Sequence, residues 1–178
     1  MRIAGIDPGL NATGYGAIEV SNGEVRLLEG GVIRPGSAKE PLESRLAALY
    51  DGIVEILTEF RPEAVALEKL YSNYEHPSTA ILMGHARGVI CLASSQNGVS
   101  VYNYAATEIK SCLTGNGRAS KEQMQRAIQL RLKLKEAPSP HDVADALAAA
   151  ICHYWTVSSP VMAAVGDLQR IDDTMRMP

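Results

Sequence analysis

The architecture of this 178-residue chain is set by residues 1–33, which read MRIAGIDPGLNATGYGAIEVSNGEVRLLEGGVI. Three apolar runs within them have the character of β-strands: Arg2–Asp7, Thr13–Val20 and Glu24–Ile33. Pro8-Gly9 ends the first run, and Asn22-Gly23, a strong hairpin signal, joins the second run to the third. Because these connections are too short to hold a helical crossover, we predict an antiparallel meander of three strands.

The rest of the sequence alternates between helical and strand-like segments. Helices are predicted at Glu40–Phe60, Ser78–Ala93, Ala105–Leu113, Ser120–Leu134 and His141 to about Val157. Two further strands are predicted at Ala64–Leu70 and Val99–Tyr102. This order disfavours an all-parallel, doubly wound fold. It predicts an α/β fold with a five-stranded mixed sheet flanked by helices, which is the order of the ribonuclease-H-like fold.

The composition, with 46% hydrophobic and 21% charged residues, is that of a folded protein with a sizeable core. We expect one domain over residues 1–157 and a C-terminal tail over residues 158–178. No apolar run approaches the roughly 20 residues that span a bilayer, and no signal pattern opens the sequence, so we expect a cytoplasmic protein without a membrane partner. Three widely spaced cysteines predict reduced thiols rather than a disulfide framework.

The net charge of −3 gives no overall sign of a nucleic-acid partner, but the charge is unevenly distributed. Between residues 108 and 136, seven basic residues stand against three acidic ones. This segment is either a solvated helix face or a surface that binds a phosphate backbone. The turn at residues 115–121, GNGRASK, is either a phosphate cradle or an ordinary glycine turn before a capped helix, and it lacks the P-loop pattern. The candidate backbone contacts are Lys110, Arg118 and Lys121, with Arg126 as a weaker one.

Four carboxylates stand where folding alone would not place them: Asp7, Glu68, Asp142 and Asp145. Asp7 and Glu68 lie at or near the carboxyl ends of two apolar strands, which share one edge of the sheet if the strands are parallel neighbours. Asp142 and Asp145 are three residues apart and share one face of the last helix. A helix docked on the sheet would gather all four.

Carboxylates in close proximity repel one another, so such a cluster needs a neutralising partner, usually a hard divalent cation such as Mg²⁺. Two ions about 3.5–4 Å apart would stabilise the attacking water and the leaving oxygen of phosphodiester hydrolysis. The alternative for each residue alone is a turn Asp, an edge Glu or an Asp at a helix N-terminus. His141 is either a further ligand or acid/base group or a surface histidine, and Tyr71 and Tyr74 are either packing residues or rings that stack on an unpaired base.

In this sequence, four motifs in order resemble those of the RuvC-type Holliday-junction resolvases of bacteria. The motifs are Gly5-Ile6-Asp7-Pro8-Gly9 with Thr13-Gly14-Tyr15-Gly16, Ala66-Leu67-Glu68, Gly84-His85-Ala86-Arg87-Gly88, and Asp142-Val143-Ala144-Asp145-Ala146-Leu147. Each motif alone is weak, since Asp-x-Gly after a first strand also occurs in sugar kinases, but the ordered set is specific. The resemblance runs from residue 1 to about residue 155 and leaves the tail uncovered.

The resemblance implies a homodimer that binds four-way junction DNA and cuts two strands symmetrically with Mg²⁺ or Mn²⁺. It implies that Asp7, Glu68, Asp142 and Asp145 bind the metal, that Tyr71 inserts at the junction, and that Lys110 and Lys121 serve DNA binding or catalysis. It also implies a branch-migration motor and its junction-binding partner. Some relatives carry histidine in place of the first aspartate of the final pair, so His141 and Asp142 both stay candidates, with the spacing favouring Asp142. Three other functions remain open: a nuclease for RNA or hybrids, a non-catalytic DNA-binding module and, disfavoured, a sugar-kinase-like phosphotransferase.

Overall fold

The computed structural model describes residues 1–69 and 77–158. The strands are β1 Arg2–Asp7, β2 Thr13–Ser21, β3 Glu24–Ile33, β4 Ala64–Glu68 and β5 Ser100–Tyr104. The helices are α1 Leu42–Phe60, α2 Pro77–Gln96, α3 Ala106–Thr114, α4 Lys121–Arg131 and α5 His141–Ser158. Tyr71, Tyr74 and residues 159–178 of the expected tail lie outside the described residues.

The five strands form one sheet in the order β3-β2-β1-β4-β5. β1, β2 and β3 pair antiparallel, so the predicted meander is confirmed. β4 pairs parallel with β1 and with β5. The predicted α/β fold with a five-stranded mixed sheet is therefore confirmed.

The register between β1 and β4 decides where the two strand-end carboxylates lie. Ile6 of β1 is the partner of Leu67 of β4, so the next residue of each strand, Asp7 and Glu68, stands at the same edge of the sheet. On the other side of β4, Glu68 is the partner of Tyr104. We call this end of β1 and β4, together with the facing start of α5, the acidic edge.

Helices cover both faces of the sheet. On one face, α5 packs on β1 and β2, and α3 and α4 pack against α5. On the other face, Leu49 and Ile53 of α1 and Ile90 of α2 pack with Ile6 and Leu67. The prediction that α5 is mostly buried is confirmed, because every residue from 146 to 153 is buried.

Glycines in the meander allow α5 to lie directly on the strands. A Cβ added at Gly5 would stand 1.8 Å from the carbonyl oxygen of Ala146. A Cβ added at Gly14 would stand 2.2 Å from the carbonyl oxygen of Asp142. Since real Cβ atoms do not approach backbone this closely, only glycine at these two positions permits α5 to contact the sheet at this depth.

Several element ends differ from the predicted ones. β5 runs to Tyr104 instead of ending at Tyr102, because Tyr104 is buried and its hydroxyl hydrogen-bonds Nδ1 of His153 on α5 at 2.7 Å. α4 ends at Arg131 because Leu132 caps it and Lys133 adopts φ 53°. β4 ends at Glu68, two residues early, and this places the carboxylate at the strand end itself.

The three cysteines are free, as predicted. Cys112 of α3 and Cys152 of α5 are distant in sequence, but the packing of the two helices brings them together. Their thiols hydrogen-bond to each other. None of the described helices is both long and apolar enough to cross a membrane.

Candidate active site

Asp7 is the last residue of β1, and the turn that follows it is tightly held. Thr13 donates its hydroxyl hydrogen to the carbonyl oxygen of Gly9 at 2.6 Å and accepts the Gly9 N–H at 3.2 Å. Nη2 of Arg45 on α1 donates to the carbonyl oxygen of Leu10 at 2.7 Å and to Oδ1 of Asn11 at 2.9 Å. Arg45 is only 5% exposed. A buried guanidinium thus anchors the chain immediately after Asp7.

Glu68 ends β4, and its backbone is fixed by a second arginine. Nη1 of Arg87 on α2 donates to the carbonyl oxygen of Glu68 at 2.7 Å, and Nη2 donates to Oδ1 of Asn103 on β5. The carboxylate of Glu68 itself forms no salt bridge within the described residues. Arg87 therefore holds the strand end without neutralising the side chain.

Asp142 and Asp145 reach the acidic edge through the docking of α5. Gly14 is the cross-strand partner of Asp7, and a Cβ added at Gly14 would stand 2.8 Å from Cβ of Asp142. The start of α5 thus lies directly over the end of β1. Asp145, one turn further along α5, stands close enough to raise the pKa of both Asp7 and Glu68.

The electrostatics show that the four carboxylates form one cluster. Burial first, and then the negative charges of Asp145, Glu68 and Asp142, raise the pKa of Asp7 from 3.8 to about 7. Burial first, followed by Asp145, raises the pKa of Glu68. Burial is also the largest cause of the raised pKa of Asp145. The structure therefore brings together all four carboxylates that the sequence singled out.

Two lysines and a histidine supply positive charge to this cluster. Lys110 on α3 opposes the raised pKa values of Glu68 and Asp145, and Lys121 at the start of α4 opposes those of Asp7 and Asp145. His141, the exposed first residue of α5, also opposes the raised pKa of Asp145. The predicted residues Lys110, Lys121 and His141 thus all lie within electrostatic reach of the acidic edge.

The other predicted DNA contacts are placed less closely. Arg118 is exposed in the connection between α3 and α4, where its backbone N–H donates to Oδ1 of Asn116 at 3.0 Å. It is not among the largest causes of the shifted pKa values of the cluster. The same connection forms a left-handed glycine turn at Gly115 and a capping box between Ser120 and Gln123. The local geometry is thus that of the glycine turn before a capped helix.

The donor set of the acidic edge suits a hard divalent cation. Four carboxylates offer oxygen ligands only, which Mg²⁺ and Mn²⁺ prefer. None of the four forms a salt bridge within the described residues. Within residues 1–69 and 77–158, no three Asp, Glu, His or Cys side chains stand close enough to enclose an ion as they lie. Ion binding would need the carboxylate oxygens to approach one another more closely than they do in this arrangement.

Two kinds of contact at the site escape sequence reasoning. Arg45 and Arg87 act on backbone carbonyls, and no spacing pattern signals such a contact. Gly5 and Gly14 belong to motifs that carry the family resemblance, and no packing role is assigned to them from the sequence, although strand glycine in general signals close approach of another backbone. Arg87 stands in the Gly84-His85-Ala86-Arg87-Gly88 motif of the resemblance, and an arginine in an otherwise apolar helix segment is the sequence signal for a partly buried polar contact.

The fold and the acidic edge together define a ribonuclease-H-like nuclease domain. In this class of domain, a mixed sheet and the helix that covers it place carboxylates together at the ends of the strands. A family model described as "Crossover junction endodeoxyribonuclease RuvC" matches residues 3–153. The chain belongs to the RuvC family. The family resemblance inferred from the sequence motifs is therefore confirmed.

Individual relatives agree with this assignment. A crossover junction endodeoxyribonuclease RuvC of Rhodopirellula baltica is 45% identical over 163 residues, which cover 92% of this chain and 91% of that relative. The structure of Thermus thermophilus RuvC matches with a TM-score of 0.83 at 38% identity, covering 89% of this chain and 96% of that one. Thermus thermophilus RuvC in complex with a Holliday junction substrate matches with a TM-score of 0.82 at 39% identity, covering 86% and 93% of the two chains.

Proposed function

We propose that this protein resolves four-way DNA junctions by metal-dependent hydrolysis of two phosphodiester bonds. One observation carries the proposal: in a member of the RuvC family, four carboxylates share one edge of the sheet without a salt bridge among the described residues. Their mutual repulsion and burial favour any ligand that brings positive charge. Such an arrangement destabilises the fold and is therefore typical of a functional site.

Asp7, Glu68, Asp142 and Asp145 are the residues that would hold Mg²⁺ or Mn²⁺, with two ions per site expected from the resemblance. When bound, the metal would supply Lewis-acid stabilisation of the attacking and leaving oxygens. The chain's own part is to present the carboxylates from three elements, β1, β4 and α5. The anchored backbone after Asp7 and at Glu68 limits how far these two side chains can drift from each other.

Lys110 and Lys121 stand on the side of the acidic edge formed by α3 and α4, where they partly offset its negative charge. We propose that they contact the scissile phosphate or its neighbours, since an anionic backbone would otherwise be repelled by the carboxylates. Arg118, exposed one turn before α4, is placed for a more distant backbone contact. Tyr71, by resemblance, would insert at the junction. Binding should weaken as the salt concentration rises.

Paired cuts require two sites, and we propose a homodimer that buries one face of α2. Ile81 and Leu92 on this face are 61% and 52% exposed. Gly84 and Gly88 lie between them, and a Cβ added at either glycine would meet nothing within 4 Å among the described atoms. An apolar face interrupted by glycines permits close helix packing. The substitution Leu92→Glu should convert the dimer to a monomer in sedimentation velocity, and a wild-type monomer at all concentrations would contradict the proposal.

The remaining expectations rest on the resemblance and the relatives. A branch-migration motor and its junction-binding partner would accompany the protein. We also propose a cytoplasmic location, because the named relatives come from bacteria, whose DNA is in the cytoplasm.

The test incubates the purified protein with an end-labelled four-way junction and with a linear duplex of the same sequence, in Mg²⁺, in Mn²⁺ and in chelator. The junction core should be able to migrate through many sequences, since the preferred cleavage site is unknown. Metal-dependent, paired nicks in the junction alone are expected. Junction binding without cleavage in either metal would favour a non-catalytic module, and preferential cleavage of an RNA–DNA hybrid would favour a different nuclease.

A further inference from the structure

One peptide group beside the acidic edge is held at both of its polar atoms. The carbonyl oxygen of Glu68 accepts a hydrogen bond from Nη1 of Arg87 at 2.7 Å. The N–H of the same peptide, contributed by Lys69, donates to the carbonyl oxygen of Tyr104 at 2.8 Å. With donor and acceptor both engaged, the peptide plane cannot rotate. The direction in which the Glu68 side chain leaves the backbone is therefore fixed.

Arg87 joins two strands and a helix at this point. Its guanidinium spans from the Glu68 carbonyl on β4 to Oδ1 of Asn103 on β5, while the residue itself belongs to α2. The planar fork of arginine presents two donors in a fixed relation, which a lysine ammonium cannot reproduce. Arg87 therefore sets the position of the end of β4 relative to both neighbours.

The choice of a carbonyl as partner also has an electrostatic consequence. Arg87 forms no salt bridge within the described residues, although a carboxylate cluster lies nearby. Had it paired with the carboxylate of Glu68, that group would be neutralised and unavailable for a cation. By bonding to the backbone instead, the guanidinium fixes Glu68 without forming a salt bridge to its carboxylate.

We infer that Arg87 is a positioning residue for Glu68, which aims the carboxylate towards Asp7 and Asp145 and so sets the affinity of the acidic edge for divalent metal. The inference rests on the proposed function, because it presumes that Glu68 is a metal ligand. Groups that orient a metal ligand typically change metal affinity by about 10- to 100-fold when removed. Loss of Arg87 should therefore appear first as weaker metal binding.

The test measures Mn²⁺ binding without DNA, from the loss of the free-ion signal in electron paramagnetic resonance, for the full-length chain. Arg87→Met should raise the Kd for Mn²⁺ by about 10-fold or more. The Mn²⁺ concentration for half-maximal junction cleavage should rise by the same factor, with the rate partly recovered at saturating metal. Arg87→Lys keeps the charge and one donor, so its effect should lie between those of wild type and Arg87→Met.

Arg2→Met is the matched control. Arg2 is also half-buried and also binds a backbone carbonyl and a side-chain oxygen, those of Phe60 and Glu19, but at the opposite end of the sheet. It should change thermal stability without changing Mn²⁺ affinity. Equal Mn²⁺ affinity in wild type and both Arg87 variants, or equal loss in Arg2→Met, would overturn the inference. If Arg87→Met does not fold, Arg87→Lys carries the same comparison.

The two proposals fail in different ways. A wild-type protein that binds Mn²⁺ but cuts no junction contradicts the proposed function, and the Arg87 comparison is still decided by the binding data. A wild-type protein that cuts but binds no Mn²⁺ without DNA moves the comparison to the metal titration of cleavage. A wild-type protein that neither binds Mn²⁺ nor cuts overturns both proposals.

Discussion

The carboxylates at the two ends of the sheet have opposite electrostatic surroundings, and their pKa values are shifted in opposite directions. At the end where β1 starts, Glu19 accepts hydrogen bonds from Arg26 at 2.9 Å and Arg2 at 3.0 Å, and these bonds lower its pKa. At the end where β1 finishes, Asp7 has neighbours of its own sign, and its pKa rises to about 7. Both ends belong to the same strands, so strand structure cannot account for the difference.

This contrast distinguishes carboxylates whose ionised form stabilises the folded protein from carboxylates whose ionised form destabilises it. The ionised form of Glu19 is stabilised by its partners, whereas the ionised form of Asp7 is destabilised by burial and repulsion. Natural proteins keep such local conflicts mainly where function needs them. The comparison can be tested by removing a charge or a glycine at each end.

The largest effect is expected from Asp7→Asn, which preserves shape and removes one charge of the acidic edge. If Asp7 holds a metal ion, junction cleavage should fall by roughly 10³-fold or more, about 4 kcal/mol of transition-state stabilisation. Junction binding, measured by gel shift in Ca²⁺, should stay within a few fold, because one negative charge has been removed beside the phosphates. The free energy of unfolding should not decrease, since the substitution relieves repulsion. Loss of binding together with cleavage would contradict this assignment.

The next largest effect is expected from Gly5→Ala, which tests whether close docking of α5 creates the acidic edge. The new Cβ would stand 1.8 Å from the Ala146 carbonyl oxygen, so α5 must move away from β1. Overpacking against backbone should lower the free energy of unfolding by about 3 kcal/mol. Urea denaturation measures this loss. Displacement of α5 should also reduce cleavage.

Gly30→Ala provides the matched control for this substitution. Its Cβ would meet a methyl carbon of Val143 at 2.8 Å, and a side chain can shift where a helix backbone cannot. The expected loss is about 1 kcal/mol. An equal loss for Gly5→Ala and Gly30→Ala would show that the close contact between β1 and α5 has no special role.

A smaller effect is expected from pH. The folded pKa of Asp7, about 7, lies above its unfolded value of 3.8, so the folded state binds the proton more tightly between these values. The contribution of Asp7 to stability should therefore be greatest near pH 4 and fall as the pH rises towards 7, by about 2 kcal/mol after allowance for solvent screening. His153, whose pKa burial lowers to about 4, contributes in the opposite direction over this range, so the Asp7 contribution is read from the difference between wild type and Asp7→Asn. Urea denaturation at a series of pH values measures the fall. Relative to Asp7→Asn, wild type should lose stability as the pH rises from 4 to 7, and a difference between the two proteins that stays constant or changes in the opposite direction would contradict the raised pKa.

The acidic edge can be predicted from the sequence because each of its strands and its helix has a recognisable local sequence pattern. Asp7 and Glu68 end short apolar runs, and Asp142 and Asp145 share a helix face, so a parallel pairing of β1 and β4 together with docking of α5 on the sheet suffices to gather them. The contacts that hold the edge are different in kind. Arg45 and Arg87 bind backbone carbonyls 35 and 19 residues away along the chain, and no local pattern encodes such partners.

The end of β5, which the sequence misplaces, has the same cause. Tyr104 belongs to β5 because of a hydrogen bond to His153 across the core, 49 residues further on. Cys112 and Cys152 likewise meet only after α3 has packed on α5. Tertiary contacts override local preference at these places.

The smallest effect is expected from Glu19→Gln at the opposite end of the sheet. The substitution leaves Arg2 and Arg26 with a neutral partner, and exposed ion pairs contribute little because water and salt screen them. The rate of junction cleavage should equal that of wild type, and any loss of thermal stability should shrink at high salt. The same protein preparations and assays used for Asp7→Asn provide the measurement. If Glu19→Gln slowed cleavage as much as Asp7→Asn does, both losses would come from disturbing the sheet, and the distinction between its two ends would be wrong.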